Sequence, residues 1–130
     1  QGSELAKIVD FISIHVYPLW QRIPYSEAVE VTIEEYQKTK EAYPDKPIIF
    51  TEFGWTTCAT EQMDPTQTTE ANQKAYLDQM IDWSQKIQVT MFIFEAFDEP
   101  WKGGNDPLEA EKHWGIYKVD RQGKPWISQR

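Results

Sequence analysis

The residues with chemistry to explain stand where apolar runs of the sequence end. Glu52 lies at the end of the run Ile48–Phe53 and is followed by Gly54 and Trp55. Glu95, Asp98 and Glu99 close the run Val89–Phe97, with Trp101 and Lys102 just beyond, and the run Ile8–Val16 ends on His15, Tyr17 and Trp20. A carboxylate in such a place is costly to desolvate unless hydrogen bonds or charge partners compensate it. Paired carboxylates can attack and protonate a glycosidic bond, one as nucleophile and one as acid/base. An ordinary strand-end salt bridge is the plainer alternative. Metal chemistry has a weaker claim. His15, Glu109, Glu111 and His113 could in principle ligate a divalent ion, but Glu-x-Glu-x-His in a loop is not a zinc spacing. Cys58 has no evident histidine partner, so a thiol mechanism lacks its base.

The apolar runs are read as strands and the segments between them as helices. Each run is rich in Ile, Val and Phe and largely apolar on both faces, as buried parallel strands are. A helix is predicted from about Ser26 to Tyr43, with Val29, Ile33 and Tyr36 on one stripe and Thr32-x-x-Glu35 as an internal capping box if the helix starts late. It stops at the turn-forming stretch Pro44-Asp45-Lys46-Pro47. A second helix is predicted from about Thr68 to Lys86, its stripe of Tyr76, Met80, Trp83 and Ile87 serving as core. Strand, helix, strand, helix, strand describes βα units on a parallel sheet, whose active sites lie at the carboxyl ends of the strands. No glycine-rich phosphate loop follows any strand, which speaks against a doubly wound nucleotide-binding sheet and implies no cofactor.

Composition narrows the partners. The 130 residues carry a net charge of −8 and no Lys/Arg cluster, which argues against nucleic acid and anionic lipid. No apolar run approaches the ~18 residues that span a membrane. Six Trp, six Tyr and six Phe exceed what so small a core needs, and flat rings beside carboxylates suit the faces of sugar rings. Trp20, Trp55 and Trp101, with His15 and Tyr17, are therefore the candidate substrate-binding residues. The plainer alternative for any one of these aromatics is core packing. A single cysteine excludes an internal disulfide. The opening Gln-Gly-Ser reads as a tag remnant over residues 1–3, leaving 4–130 as one domain.

Three stretches carry a family resemblance: VDFISIHVYPLW, KPIIFTEFGWTT and FIFEAFDEPWK…EKHWGIY. They resemble the last three strands of glycoside hydrolase family 17, retaining (β/α)8 enzymes that cleave or rearrange β-1,3-glucans, and look closer to the bacterial members. The resemblance runs from about Val9 to Tyr117. It implies that Glu52 is the nucleophile at the end of the seventh barrel strand. It implies that Glu99 and Lys102, at the end of the eighth, lie beside that nucleophile, that Glu111 is a further acid of the site, and that Tyr17 belongs to the sixth-strand YP motif. On this basis Lys102 is expected to keep Glu52 ionised, with Glu99 and Glu111 anchoring Lys102.

The sequence departs from that family in extent. Strands beginning near 8, 48 and 89 give units of roughly 40 residues, whereas a full barrel takes about 250. The fold class expected is therefore α/β, a partial (half) TIM barrel. The family's acid/base glutamate, in an N-E motif after the fourth strand, has no counterpart here, so the isolated chain is expected to be inactive or weak. Glu95 or Glu99 could be recruited only if two carboxyls of one sheet edge can straddle a sugar. The alternative function is a non-catalytic β-glucan-binding or dimerising module. The expected partner is a β-glucan oligosaccharide. Unpaired sheet edges predict a homodimer, or completion by the absent barrel half. The resemblance alone makes an extracytoplasmic location the default.

Overall fold

A computed structural model of the chain describes residues 2–61 and 63–127. Three parallel strands, β1 (Ile12–Val16), β2 (Ile48–Phe53) and β3 (Met91–Ile93), lie in that order in one sheet. Helix α1 (Gly2–Ile8) precedes β1, α2 (Tyr25–Ala42) joins β1 to β2, and α3 (Glu70–Ile87) joins β2 to β3. This is the α/β alternation of a partial barrel. Pro24 fixes the backbone entering α2 at φ −67°, and the Gln67 side chain accepts the Tyr25 N–H at 3.0 Å where no capping side chain serves. Thr69 caps α3 by accepting the Asn72 N–H at 3.1 Å.

Both long helices contribute to the core built on β2. Phe50 and Phe53 of β2, Tyr76, Leu77 and Met80 of α3, and Ala28 of α2 are buried there. Each large apolar side chain so buried is worth roughly 1.5–3 kcal/mol. The stripe of α3 holds through Trp83 and ends there, since Ile87 is exposed. Val29, Ile33 and Tyr36 pack against the same core from α2. Thr32 is no cap: it is buried in mid-helix, donates to the Ala28 carbonyl at 2.7 Å and lies 2.8 Å from the Tyr76 hydroxyl, linking α2 to α3.

Two strands are shorter than their apolar runs. Ile8 ends a helix whose last turn extends to a Val9 N–H bond on Leu5, and Asp10 interrupts the run, so β1 begins only at Ile12. After Ile93 the chain leaves β2 and pairs instead with a later strap. Glu95 N–H donates to Trp114, Ile116 N–H to Glu95, Tyr117 N–H to Ala96 and Asp98 N–H to Tyr117. Nor are the strands buried on both faces, because Ser13, His15 and Phe92 are exposed. Glycines permit the strap. A Cβ on Gly54 would stand 2.0 Å from the Phe94 carbonyl oxygen, and one on Gly115 would stand 2.1 Å from the Asp98 nitrogen. Among the described residues, no strand pairs with the outer edges of β1 and β3.

Candidate active site

Glu52 owes its direction to an irregularity in β2. Ile14 pairs with Phe50 but His15 pairs with Glu52, so Thr51 is an extra residue against β1. The same excess recurs against β3, where Phe50 and Phe53 face Met91 and Ile93. In a regular strand Glu52 would share the face of Phe50 and point into the helix-covered core. The bulge lets Phe53 keep the core face and turns Glu52 to the other side.

There Glu52 meets Tyr17 and His15. Tyr17 donates its hydroxyl to Oε2 at 2.6 Å, and His15 Nδ1 lies 3.3 Å from the same oxygen. Burial first, then the hydrogen bond and charge of Glu52, with Glu111 and Glu95 adding to it, hold the Tyr17 pKa far above the ordinary phenol value. Tyr17 is therefore a permanent donor. Its ring is wedged edge-on between Phe94, at 5.8 Å, and Trp114, at 5.1 Å. A pocket of about 160 Å³ opens here, lined by Tyr17, Trp20, Glu52, Phe94, Glu111 and Trp114. A larger cavity of about 520 Å³, lined among others by Asp98, Lys112 and His113, does not include Glu52.

A second charged group gathers around Lys102. Its ammonium bonds Glu95 Oε2 at 2.9 Å, pairs with Glu99, and sits 4.6 Å over the centre of the Phe94 ring. Glu95 is pushed up to about 7, by burial first and by the neighbouring Glu99 carboxyl, against the pull of Lys102. Glu99 is held below the ordinary carboxyl value by its bond with Lys102. Burial works against the charge of Lys102, but Glu99 and Glu95 outweigh it and raise its pKa. The pair thus holds one proton near neutrality, shared between the Glu95 and Glu99 carboxyls.

Residues 1–115, which carry this carboxylate, the tyrosine donor and the aromatic pocket, match the family model for the BtgE/BtgC glycoside hydrolase domain. The chain belongs to that family. A glucan 1,3-beta-glucosidase of Arthroderma benhamiae is 26% identical over 131 residues, covering 89% of this chain and 41% of that protein. The glycoside hydrolase family 17 beta-1,3-glucanosyltransferase of Rhizomucor miehei superposes with a TM-score of 0.82 at 25% identity, over 93% of this chain and 43% of that one. An endo-laminarinase from Formosa superposes with a TM-score of 0.84 at 22% identity, over 98% of this chain and 40% of that one. The chain therefore spans about two fifths of these proteins, as a partial barrel of the family 17 type.

Within this glycoside hydrolase domain the anticipated residues divide. Glu52, Tyr17, Trp20 and Glu111 share the pocket, and His15 adjoins Glu52. Trp20 leaves its ring partly exposed, 6.4 Å from Trp114. Trp101 is exposed on the loop after β3. Trp55 offers no face to a sugar: it is wholly buried against Tyr25 and Tyr76, and its Nε1 donates to the Gln67 carbonyl at 3.0 Å. Lys102 is bound to Glu95 and Glu99, not to Glu52, and Glu95 takes the anchoring place expected of Glu111. The metal alternative disperses. Glu109 folds back onto the Gly104 N–H, His113 Nε2 lies 2.7 Å from the Pro107 carbonyl, and no cluster of three ligating side chains forms among the described residues. Phe94 and Trp114 were hidden among aromatics that looked like core. Glu95 carried the same strand-end signal as Glu52.

Proposed function

We propose that this domain carries the nucleophile of a retaining glycoside hydrolase or glucanosyltransferase acting on β-1,3-glucan. The observation that carries the reading is Glu52, turned out of the core by a bulge and held by the Tyr17 hydroxyl at 2.6 Å in an aromatic pocket. With Oε2 engaged, Oε1 attacks the anomeric carbon, the carbon–oxygen glycosidic bond breaks, and the leaving oxygen takes a proton from an acid. In the second step a water or sugar hydroxyl attacks the same carbon, gives its proton to that acid's conjugate base, and Glu52 departs. Tyr17 steadies the carboxylate between steps, and the exposed rings of Trp20 and Trp101 are apolar platforms for sugar faces.

Glu95 holds its proton up to about pH 7, as a general acid must. Yet it is tied to Lys102 on the same sheet edge. A retaining acid must stand about 5–5.5 Å from the nucleophile across the scissile bond. We therefore assign the acid to barrel residues outside these 130, which makes the isolated chain inactive or weak. The names of the similar proteins support β-1,3-glucan as substrate. The test is the full-length protein with laminari-oligosaccharides and a 2-fluoro-laminaribiosyl fluoride. An ester trapped on the Glu52 peptide, and loss of turnover in Glu52→Gln, are expected. Turnover undiminished in Glu52→Gln overturns the assignment. Oligosaccharide binding without turnover in the full-length protein would make this a binding module instead.

A further inference from the structure

Lys112 is a buried lysine whose ammonium meets no carboxylate among the described residues. It ends the short helical turn Ala110–Lys112, next to Glu111 of the pocket, and is 6% exposed. Its ammonium has three N–H groups and meets three backbone carbonyls: those of Pro100 at 3.3 Å, Gly104 at 2.8 Å, and Lys102. Its own carbonyl accepts the Glu99 N–H at 3.2 Å. An ammonium taken out of water is costly unless all its donors are engaged, and here each has an acceptor. The loop it grips, from Glu99 to Gly104, carries both Glu99 and Lys102.

We propose that Lys112 is a positioning residue: its caged ammonium fixes the backbone of the 99–104 loop so that Lys102 is held between Glu95 and Glu99 while Glu111 is kept at the pocket. The same bonds would tie down a loop of no consequence to chemistry, so geometry at the pocket has to be read out directly. A lysine side chain reaching the carbonyl of Lys102, whose ammonium joins Glu95 to Glu99, ties one cation to the backbone that carries the other. Releasing the cage frees the backbone at Lys102. A displacement of about 1 Å at a catalytic group can cost on the order of 10²-fold in rate.

The experiment uses the full-length protein labelled uniformly with ¹⁵N and ¹³C. Native Lys112 is expected to show a slowly exchanging ammonium signal with couplings to three carbonyl carbons; a freely exchanging one overturns the cage, even should the methionine variant fail to fold. In Lys112→Met the Glu95 carboxyl is expected to titrate at higher pH, because the Lys102 bond that opposes its protonation is loosened. Lys112→Arg, which keeps donors, is expected to restore the native midpoint. The kinetic arm rests on the proposed hydrolase reading: kcat on laminari-oligosaccharide falls about 10²-fold in Lys112→Met with KM within about twofold. An unchanged Glu95 midpoint refutes the positioning role. A shifted midpoint with unchanged kcat keeps that role and counts against the catalytic reading of the site.

Discussion

Replacing Glu95 with glutamine keeps the shape of the side chain and removes one ionisation, and proton linkage makes the effect readable against pH. Burial chiefly, with the Glu99 carboxyl adding and Lys102 opposing, raises Glu95 from 4.5 to about 7. Its side chain is only 15% exposed, so solvent screens little of that. The interval from 4.5 to about 7, at ~1.36 kcal/mol per pH unit, amounts to ~3 kcal/mol. The sign follows from proton counting. Between these values the folded chain holds a proton that the unfolded chain has released, so stability falls as pH rises. The contribution is whole below pH 4.5, is lost as pH climbs through about 7, and changes no further above it. Glu95→Gln has no such proton to lose, and Lys102 keeps Glu99. The stability of the variant relative to the native chain should therefore rise by ~3 kcal/mol between pH 4.5 and pH 8. Urea unfolding of both proteins across that range measures it. A difference that stays flat refutes burial as the controlling cause. A difference that falls with pH would mean that the Lys102 bond prevails.

Tyr17→Phe removes a hydrogen bond to a charged acceptor, worth about 1.5–3 kcal/mol, so turnover of laminari-oligosaccharide by the full-length protein should fall roughly 10- to 100-fold; unchanged turnover would dismiss Tyr17 as a support for Glu52. Gly54→Ala puts a methyl 2.0 Å from the Phe94 carbonyl oxygen, and the forced backbone shift should cost about 1–3 kcal/mol or more in thermal unfolding; a native melting temperature would show that the strap does not pass so close. Gln73 is buried and donates to the carbonyls of Trp55, Trp114 and Gly115 while accepting from Trp126. Gln73→Leu removes these hydrogen bonds and should cost about 1–3 kcal/mol; denaturant midpoints equal to native would contradict it. The 130-residue chain by itself should self-associate through its open sheet edges. Sedimentation at micromolar concentration that finds only a folded monomer would refute this.

Sequence reading succeeded where a local signal coincides with the element. Ile48–Phe53 is bounded by Pro47 and Gly54 and is a strand over those residues, and the two long helices start and stop within two residues of their turn signals. It failed where the partner lies far along the chain. β3 stops at Ile93 because Glu95–Asp98 pair with residues near 115, which no window around them reveals. Trp55 looked like a platform because it follows a strand-end carboxylate, yet α3 and the Gln67 loop close over it. The charge partners were exchanged for a related reason. Position after a strand says which residues reach the site rim, not which carboxylate a four-carbon lysine stem meets, and Lys102 meets the two on its own segment.

The bulge at Thr51 ties these points to the chemistry. Phe50 and Phe53 are both wholly buried, three residues apart, on a strand whose natural period is two. One of them could be relaxed only by exposing an aromatic ring, or the strand could take an extra residue. It takes the extra residue, and Thr51 Oγ1 is left buried without a hydrogen-bond partner among the described residues, at a cost of about 1–3 kcal/mol. A strand selected for stability alone would delete Thr51 and restore the alternation. Without Thr51 the pairs Ile14 with Phe50, His15 with Glu52 and Val16 with Phe53 would stand in regular register, so the facing of Glu52 and His15 does not itself require the extra residue. With Thr51 present, it is the bulge that keeps Phe53 in the core with Phe50 and leaves Glu52 on the opposite face, within reach of Tyr17 and His15.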